Sequence, residues 1–164
     1  MPFNLQRRVR FPYIFIGSAS VIALAYLHLD PGINRPELLL SALGAIAAFV
    51  HFLYAQHNSN TERFIALFKE FNTRYDQLNA HLNHITKQPE LEPLTEQDMD
   101  HLYDYFNLCA EEYMFYRAGY IDERVWSAWK NGMHYFLCNA KIAAVWDSEL
   151  KQESYYGFRF RCKK

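Results

Sequence analysis

An all-α protein is predicted: a two-helix transmembrane hairpin followed by a cytoplasmic bundle of about four to five helices. Three observations predict it. Two charge-free apolar runs lie close together near the N-terminus, and an unbroken 4-3 apolar spacing follows them. The remainder strings aromatic-rich helical patterns between prolines, a glycine and capping residues. No other run has strong β-alternation up to residue 153, and no internal repeat is present.

The 164 residues, 51% hydrophobic and 17% aromatic, are too apolar for a disordered chain and suit one domain with an anchor. The mean hydropathy of −0.26 averages two unlike parts. Residues 1–56 hold a basic start and the hairpin, while residues 57–164 carry 13 Lys/Arg and 16 Asp/Glu. A formal net charge of −1 gives no electrostatic case for nucleic acid. The expected partners are the lipid bilayer and a protein, whether a different one or a second copy.

The spans are expected at about 11–28 and 37–56. Phe11 to Leu27 and Leu38 to Gln56 contain no charged residue. At 1.5 Å per residue they reach about 26 and 29 Å, enough to cross a hydrocarbon core of roughly 30 Å. Asp30-Pro31-Gly32 is turn chemistry, and Asn34 with Glu37 resembles a capping box. Arg7, Arg8 and Arg10 precede the first span, whereas the loop has only Arg35 beside two acids. The positive-inside rule therefore places both termini in the cytoplasm. A cleaved signal peptide ending near Ala23-Leu24-Ala25 competes for the first run, but that tripeptide lies inside the apolar stretch.

Ser41, Gly44, Ala45 and Ala48 form a small-residue stripe on the second span, and Ala19, Ser20 and Ala23 a shorter one on the first. Such stripes let helix backbones approach in lipid. Packing within the hairpin is the first expectation, and an oligomer seam the alternative. His28 and His51 fall at opposite ends of the hairpin, about 18 Å apart in depth. They therefore do not share a metal or haem within one protomer.

After the polar joint His57-Asn58-Ser59-Asn60, apolar residues recur at Phe64, Phe68, Phe71, Tyr75, Leu78, Leu82 and Ile85. This predicts a stalk helix over 61–87, packed in an intramolecular bundle or in a coiled coil. The aromatic residues are bulky for a two-stranded coil and favour the bundle. A stalk continuous with the second span stays open. Pro89 and Pro93 end it, and Thr95 with Asp98 offers the next capping box. Met99, Leu102, Tyr103, Phe106, Cys109, Ala110, Tyr113 and Met114 line one helical face up to Ala118. Gly119 suits a helix stop and Asp122 an N-cap. Val125, Trp126, Trp129, Met133 and Phe136 continue the core. Asn139 starts a helix with Ile142, Val145, Trp146 and Leu150, and Ser154 to Cys162 is expected as a short helix with a strand as alternative.

Leu108-Cys109-Ala110-Glu111-Glu112-Tyr113, then Gly119-Tyr120-Ile121-Asp122 and Val125-Trp126-Ser127-Ala128-Trp129, resembles the central stretch of an uncharacterised bacterial family. Its members are small proteins with one or two N-terminal membrane helices and a helical cytoplasmic region. The likeness covers about residues 95–160. It implies an inner-membrane protein and carries over no catalytic residue.

Eight acids and no Lys or Arg lie between Lys87 and Arg117. Asp98-x-x-His101 resembles half of a di-metal carboxylate–histidine site, with His81-x-x-His84 on the stalk as the sole further pair. Solvated acidic helix faces explain the same residues, and no metal or cofactor site is expected. Glu111 and Glu112 point about 100° apart and do not pair as acid and base on one face. One of them is expected instead to hold a buried polar partner such as Arg117 or a tryptophan N–H. His134 and Cys138 sit one turn apart, without an oxyanion-hole motif. Cys109, Cys138 and Cys162 are odd in number with no short pairing, so free thiols in a reducing compartment are expected.

The expectation is a non-enzymatic membrane-anchored interaction module, an accessory, scaffold or regulatory subunit. Its candidate contact residues are Asp98, Asp100 and Asp104 on the acidic helix and Arg159 and Arg161 on the tail, where Lys163 and Lys164 follow. The alternatives are an oligomeric effector or pore former, as in a bacterial defence system, and a metal or haem protein.

Overall fold

The computed structural model describes residues 10–28, 35–152 and 154–162. Arg7, Arg8, the Asp30-Pro31-Gly32 turn, the Asn34 cap and the Lys163–Lys164 end lie outside them. The regular structure of the described residues is all helix, without a strand: α1 (Arg10–Leu27), α2 (Pro36–Lys87), α3 (Glu96–Arg117), α4 (Glu123–Leu137) and α5 (Ala140–Glu149), with a 3-10 turn at Leu150–Gln152. The chain divides into two compact units at Arg63/Phe64.

In the first unit, α1 and the start of α2 are each long and apolar enough to cross a membrane. Half-buried positions recur on α1 at Phe11, Phe15, Ser18, Ala19, Ile22 and Tyr26, and on α2 at Leu39, Ala42, Leu43, Ile46, Val50 and Leu53. Large side chains thus dominate the covered faces. The Phe11 ring meets Tyr54 edge-on with centroids 5.7 Å apart. Ser41, Gly44, Ala45 and Ala48 are exposed, as is Ala23, and a Cβ on Gly44 would meet nothing within 4 Å. Ser18, Ser20 and Ser41 donate their hydroxyls to the carbonyls of Ile14, Ile16 and Glu37 one turn back. That internal bond hides a polar group which lipid could not satisfy.

The polar joint does not break the helix. α2 runs 52 residues through His57-Asn58-Ser59-Asn60, with Thr61 Oγ1 bonding the His57 carbonyl at 2.8 Å. Asn and Ser lower helix propensity by only a few tenths of a kcal/mol each, too little to end a helix anchored by packing downstream.

The second unit builds its core on the 4-3 spacing: Phe71, Leu78, Leu82 and Ile85 are buried, Tyr75 half-buried. The seam packs within the chain, as the bulky aromatics favour. Thr95 caps α3 in a complete capping box with Asp98. At the far end of α3, Gly119 N–H bonds Tyr116 O and Tyr120 N–H bonds Phe115 O, with Gly119 at φ 82°. This is a Schellman stop, which needs the left-handed conformation glycine supplies without steric cost. Asp122 and Asn139 cap α4 and α5.

Two expectations are corrected. Ser154 to Cys162 is neither helix nor strand. Tyr156 at φ 50° and Gly157 at φ 77° make a turn that a helix does not admit. Beyond it Phe158 and Phe160 both face the core while Arg159 and Arg161 stay exposed. The cysteines are not all free either: Cys138 and Cys162 form a disulfide across 24 residues of chain, and Cys109 alone remains a thiol. Trp146 Nε1–H donates to the Phe160 carbonyl at 3.4 Å, giving the tail a second tie to the core.

Candidate functional site

A half-open cavity of about 160 Å³ lies where α2, α3 and α4 meet. α3 supplies Tyr105, Leu108, Cys109 and Glu112, spaced i, i+3, i+4 and i+7 and so on one face. Asn72 and Tyr75 of α2 close one side. On α4, Ala128 and Gly132 stand one turn apart between Trp129 and Met133. Their small size leaves the gap, since a Cβ on Gly132 would meet nothing within 4 Å.

The wall holds a carboxyl that ought to be costly. Glu112 is 6% exposed and lines the cavity, and its carboxyl oxygens are not among the buried atoms left without a partner. Burial raises its pKa to about 8, opposed by the charge of Arg74 and reinforced by that of Glu111. Near neutral pH it is therefore mainly a neutral acid. The buried Tyr105 hydroxyl makes no hydrogen bond of good geometry and has the weakly bonding Cys109 thiol beside it; burial first, then Cys109, raises its pKa. Burial likewise pushes the Cys109 thiol up, with the Glu112 charge adding to it. Cys109 is thus no activated nucleophile, because nothing cationic stabilises its thiolate.

The two adjacent glutamates divide their roles as their 100° separation requires. Glu111 faces α2, where Arg74 Nη1 and Nη2 donate to it at 2.5 and 3.3 Å. Glu112 faces the cavity. The partner is Arg74, not Arg117.

The remaining sequence candidates are dispersed. Asp98 is buried and serves the α3 cap, accepting from the Thr95 backbone and hydroxyl at 3.0 and 2.8 Å. Burial works to raise its pKa, but the Thr95 hydrogen bonds outweigh it and the net shift is downward. Asp100 and Asp104 are exposed on α3. His101 and His81 come together with ring centroids 3.8 Å apart, and His101 Nδ1 lies 2.6 Å from the Gln97 carbonyl. Among the described residues no three His, Cys, Asp or Glu are grouped to hold a metal ion. Cys138 is engaged in the disulfide, which removes the His134–Cys138 pair as a nucleophile and base.

Reading helix faces from the sequence missed Tyr105 and Leu108 and left Glu112 unassigned. The signal was available, because 105, 108, 109 and 112 share one face, but charged Glu112 reads as solvent-facing by residue type. Comparison with protein-family models, with curated proteins and with solved structures gives no match, so the cavity is known from its own geometry alone.

Proposed function

We propose that this chain is a non-enzymatic bacterial inner-membrane protein that presents a helical module to a protein partner, as an accessory, scaffold or regulatory subunit. The observation carrying this reading is α2, a single helix that holds both a charge-free apolar stretch and the buried Phe71–Ile85 face of the bundle. In the finer form of the proposal α1 and the start of α2 are a transmembrane hairpin with both termini cytoplasmic. Arg7, Arg8 and Arg10 before the first span support that orientation. Kinship with the bacterial family resembled by the Leu108–Trp129 motif belongs to the same proposal. Exposed Asp100 and Asp104, and exposed Arg159 and Arg161, offer the partner charge of both signs.

The disulfide supports the opposite orientation, because such bonds persist in oxidising compartments. Reporter fusions at Met1 and Lys164 decide between the two: cytoplasmic signals at both ends are expected, and a periplasmic signal at Lys164 overturns the orientation. Recovery of one fixed partner from native membranes is the expected result for the module itself.

A second reading, an oligomeric effector or pore former, is favoured by the exposed Ser41, Gly44, Ala45 and Ala48 stripe, open to another copy. A homo-oligomeric mass with ion conductance and no second protein would replace the first reading with this one.

A further inference from the structure

We propose that the cavity between α2, α3 and α4 binds a small organic ammonium ion, held by the Glu112 carboxylate and the rings of Tyr75, Tyr105 and Trp129. The inference stands apart from the anchoring and partner readings, since all these residues belong to the second unit.

Four observations converge on a cation. Glu112 is buried in the cavity lining, and the guanidinium that acts on it, Arg74, donates its hydrogen bonds to Glu111 instead. Among the described residues no Lys or Arg lines the cavity, so the wall they form offers the carboxylate no positive charge. The wall is aromatic instead, and ring faces attract ammonium groups, most strongly where water is excluded. Finally, Tyr105 is 2% exposed and its hydroxyl has only the weak Cys109 thiol beside it, which leaves an oxygen lone pair for an N–H group. Size sets the ligand class. A cavity of about 160 Å³ takes a molecule of about six heavy atoms, too few for a lipid or a peptide.

Binding is linked to a proton. The ion enters beside a carboxyl that is neutral when the cavity is empty, and the proton leaves to solvent as the charge arrives. The groups around Glu112 that carry charge or titrate are Arg74 and Tyr75 from α2 and Tyr105, Cys109 and Glu111 from α3. α4 contributes only Ala128, Trp129, Gly132 and Met133. The raised pKa values of Tyr75, Tyr105 and Cys109 leave Glu112 as the group that titrates within the cavity between pH 6 and pH 9.

The test uses the full chain in maltoside micelles, which carry no ammonium group. tert-Butylammonium chloride is titrated by calorimetry and tryptophan fluorescence against sodium chloride of equal ionic strength, with tert-butanol as the neutral analogue. Saturable binding is expected that tightens about a hundredfold from pH 6 to pH 9, as a site pKa of about 8 requires. Glu112→Gln should weaken it at least tenfold while melting at or above the parent temperature. Gly132→Leu, which fills the mouth, should abolish it. No saturable binding, unchanged affinity in Glu112→Gln, or an equal response to tert-butanol each overturns the proposal.

Discussion

Arg74 on α2 grips Glu111 on α3 with two guanidinium nitrogens, and the neighbouring Glu112 is thereby left buried with no counter-charge of its own. One arginine serves two adjacent carboxylates unequally because consecutive residues of a helix point about 100° apart. The first carboxylate is half-exposed and paired. The second is desolvated and acidic only above neutral pH.

That asymmetry predicts an unusual pH profile of stability. The Glu112 pKa is about 8 folded against 4.5 for the free side chain, so between those values the folded state holds a proton that the unfolded state has lost. More protons bound in the folded state means stability falls as pH rises. The loss begins near pH 4.5 and is complete above pH 8, on the order of several kcal/mol. Melting temperature should drop from pH 6 to pH 9, and Glu112→Gln should flatten that drop. A parallel slope in the variant would assign the effect elsewhere.

Replacing Arg74 with Gln should act mainly through its neighbour. The Arg74–Glu111 pair is about one-third exposed on each side, and such pairs contribute at most about 1 kcal/mol. Losing the guanidinium charge, however, raises the Glu112 pKa further. The descending limb of the pH–stability profile should therefore still begin near pH 4.5 but end at higher pH, with little change in stability at pH 5. An unmoved limb would show that Arg74 does not act on Glu112.

Removing the disulfide should loosen the tail. Closing a loop of this size stabilises by about 3 kcal/mol in the chain-entropy account. Cys138→Ser should lower the melting temperature and increase quenching of Trp146 fluorescence as the Tyr155–Cys162 segment lifts away. Maleimide labelling of denatured, unreduced protein should find Cys109 alone. Labelling at all three cysteines would mean the bond is not formed in the cell.

Three tryptophans should respond in order of burial. Trp146 and Trp126 are 2% and 7% exposed, while Trp129 is half-buried in the cavity wall. Truncating Trp146 to Ala should cost about 3–5 kcal/mol, and Trp129 clearly less. Urea unfolding would rank them, and equal losses would contradict the half-open wall.

The acidic helix should separate structure from surface within six residues. Asp98→Ala removes the capping box and should cost about 1 kcal/mol. Asp100→Lys with Asp104→Lys changes only exposed positions and should leave melting unaltered. If that reversal lowered recovery of a partner without moving the melting temperature, α3 would be identified as the contact face.

Much of this architecture was legible where one physical signal dominated. The 4-3 spacing from Phe71 to Ile85 set the α2 face, while Phe68 of the same pattern stays exposed, and Thr95, Gly119, Asp122 and Asn139 marked the helix ends that the structure shows. Failures came where neighbours decide. α3 is buried on most sides, so reading a single apolar face passed over Tyr105 and Leu108. The cavity depends on Ala128 and Gly132 being small opposite Glu112, a relation between helices that no local pattern carries. Tail geometry turned on the left-handed pair Tyr156–Gly157. The disulfide joins cysteines too far apart in sequence to form a motif.

The continuity of α2 through residues 57–63 also governs how the molecule can be taken apart. A protease cuts extended, accessible chain, and here the stretch entering the second unit is helix. Cleavage after Lys87, where the backbone leaves the helix, would part α2 from α3 and cut the core in two. A soluble fragment must therefore begin inside a helix. It needs a new N-cap upstream of Phe71, and it exposes donors that the intact chain satisfies with the preceding turn.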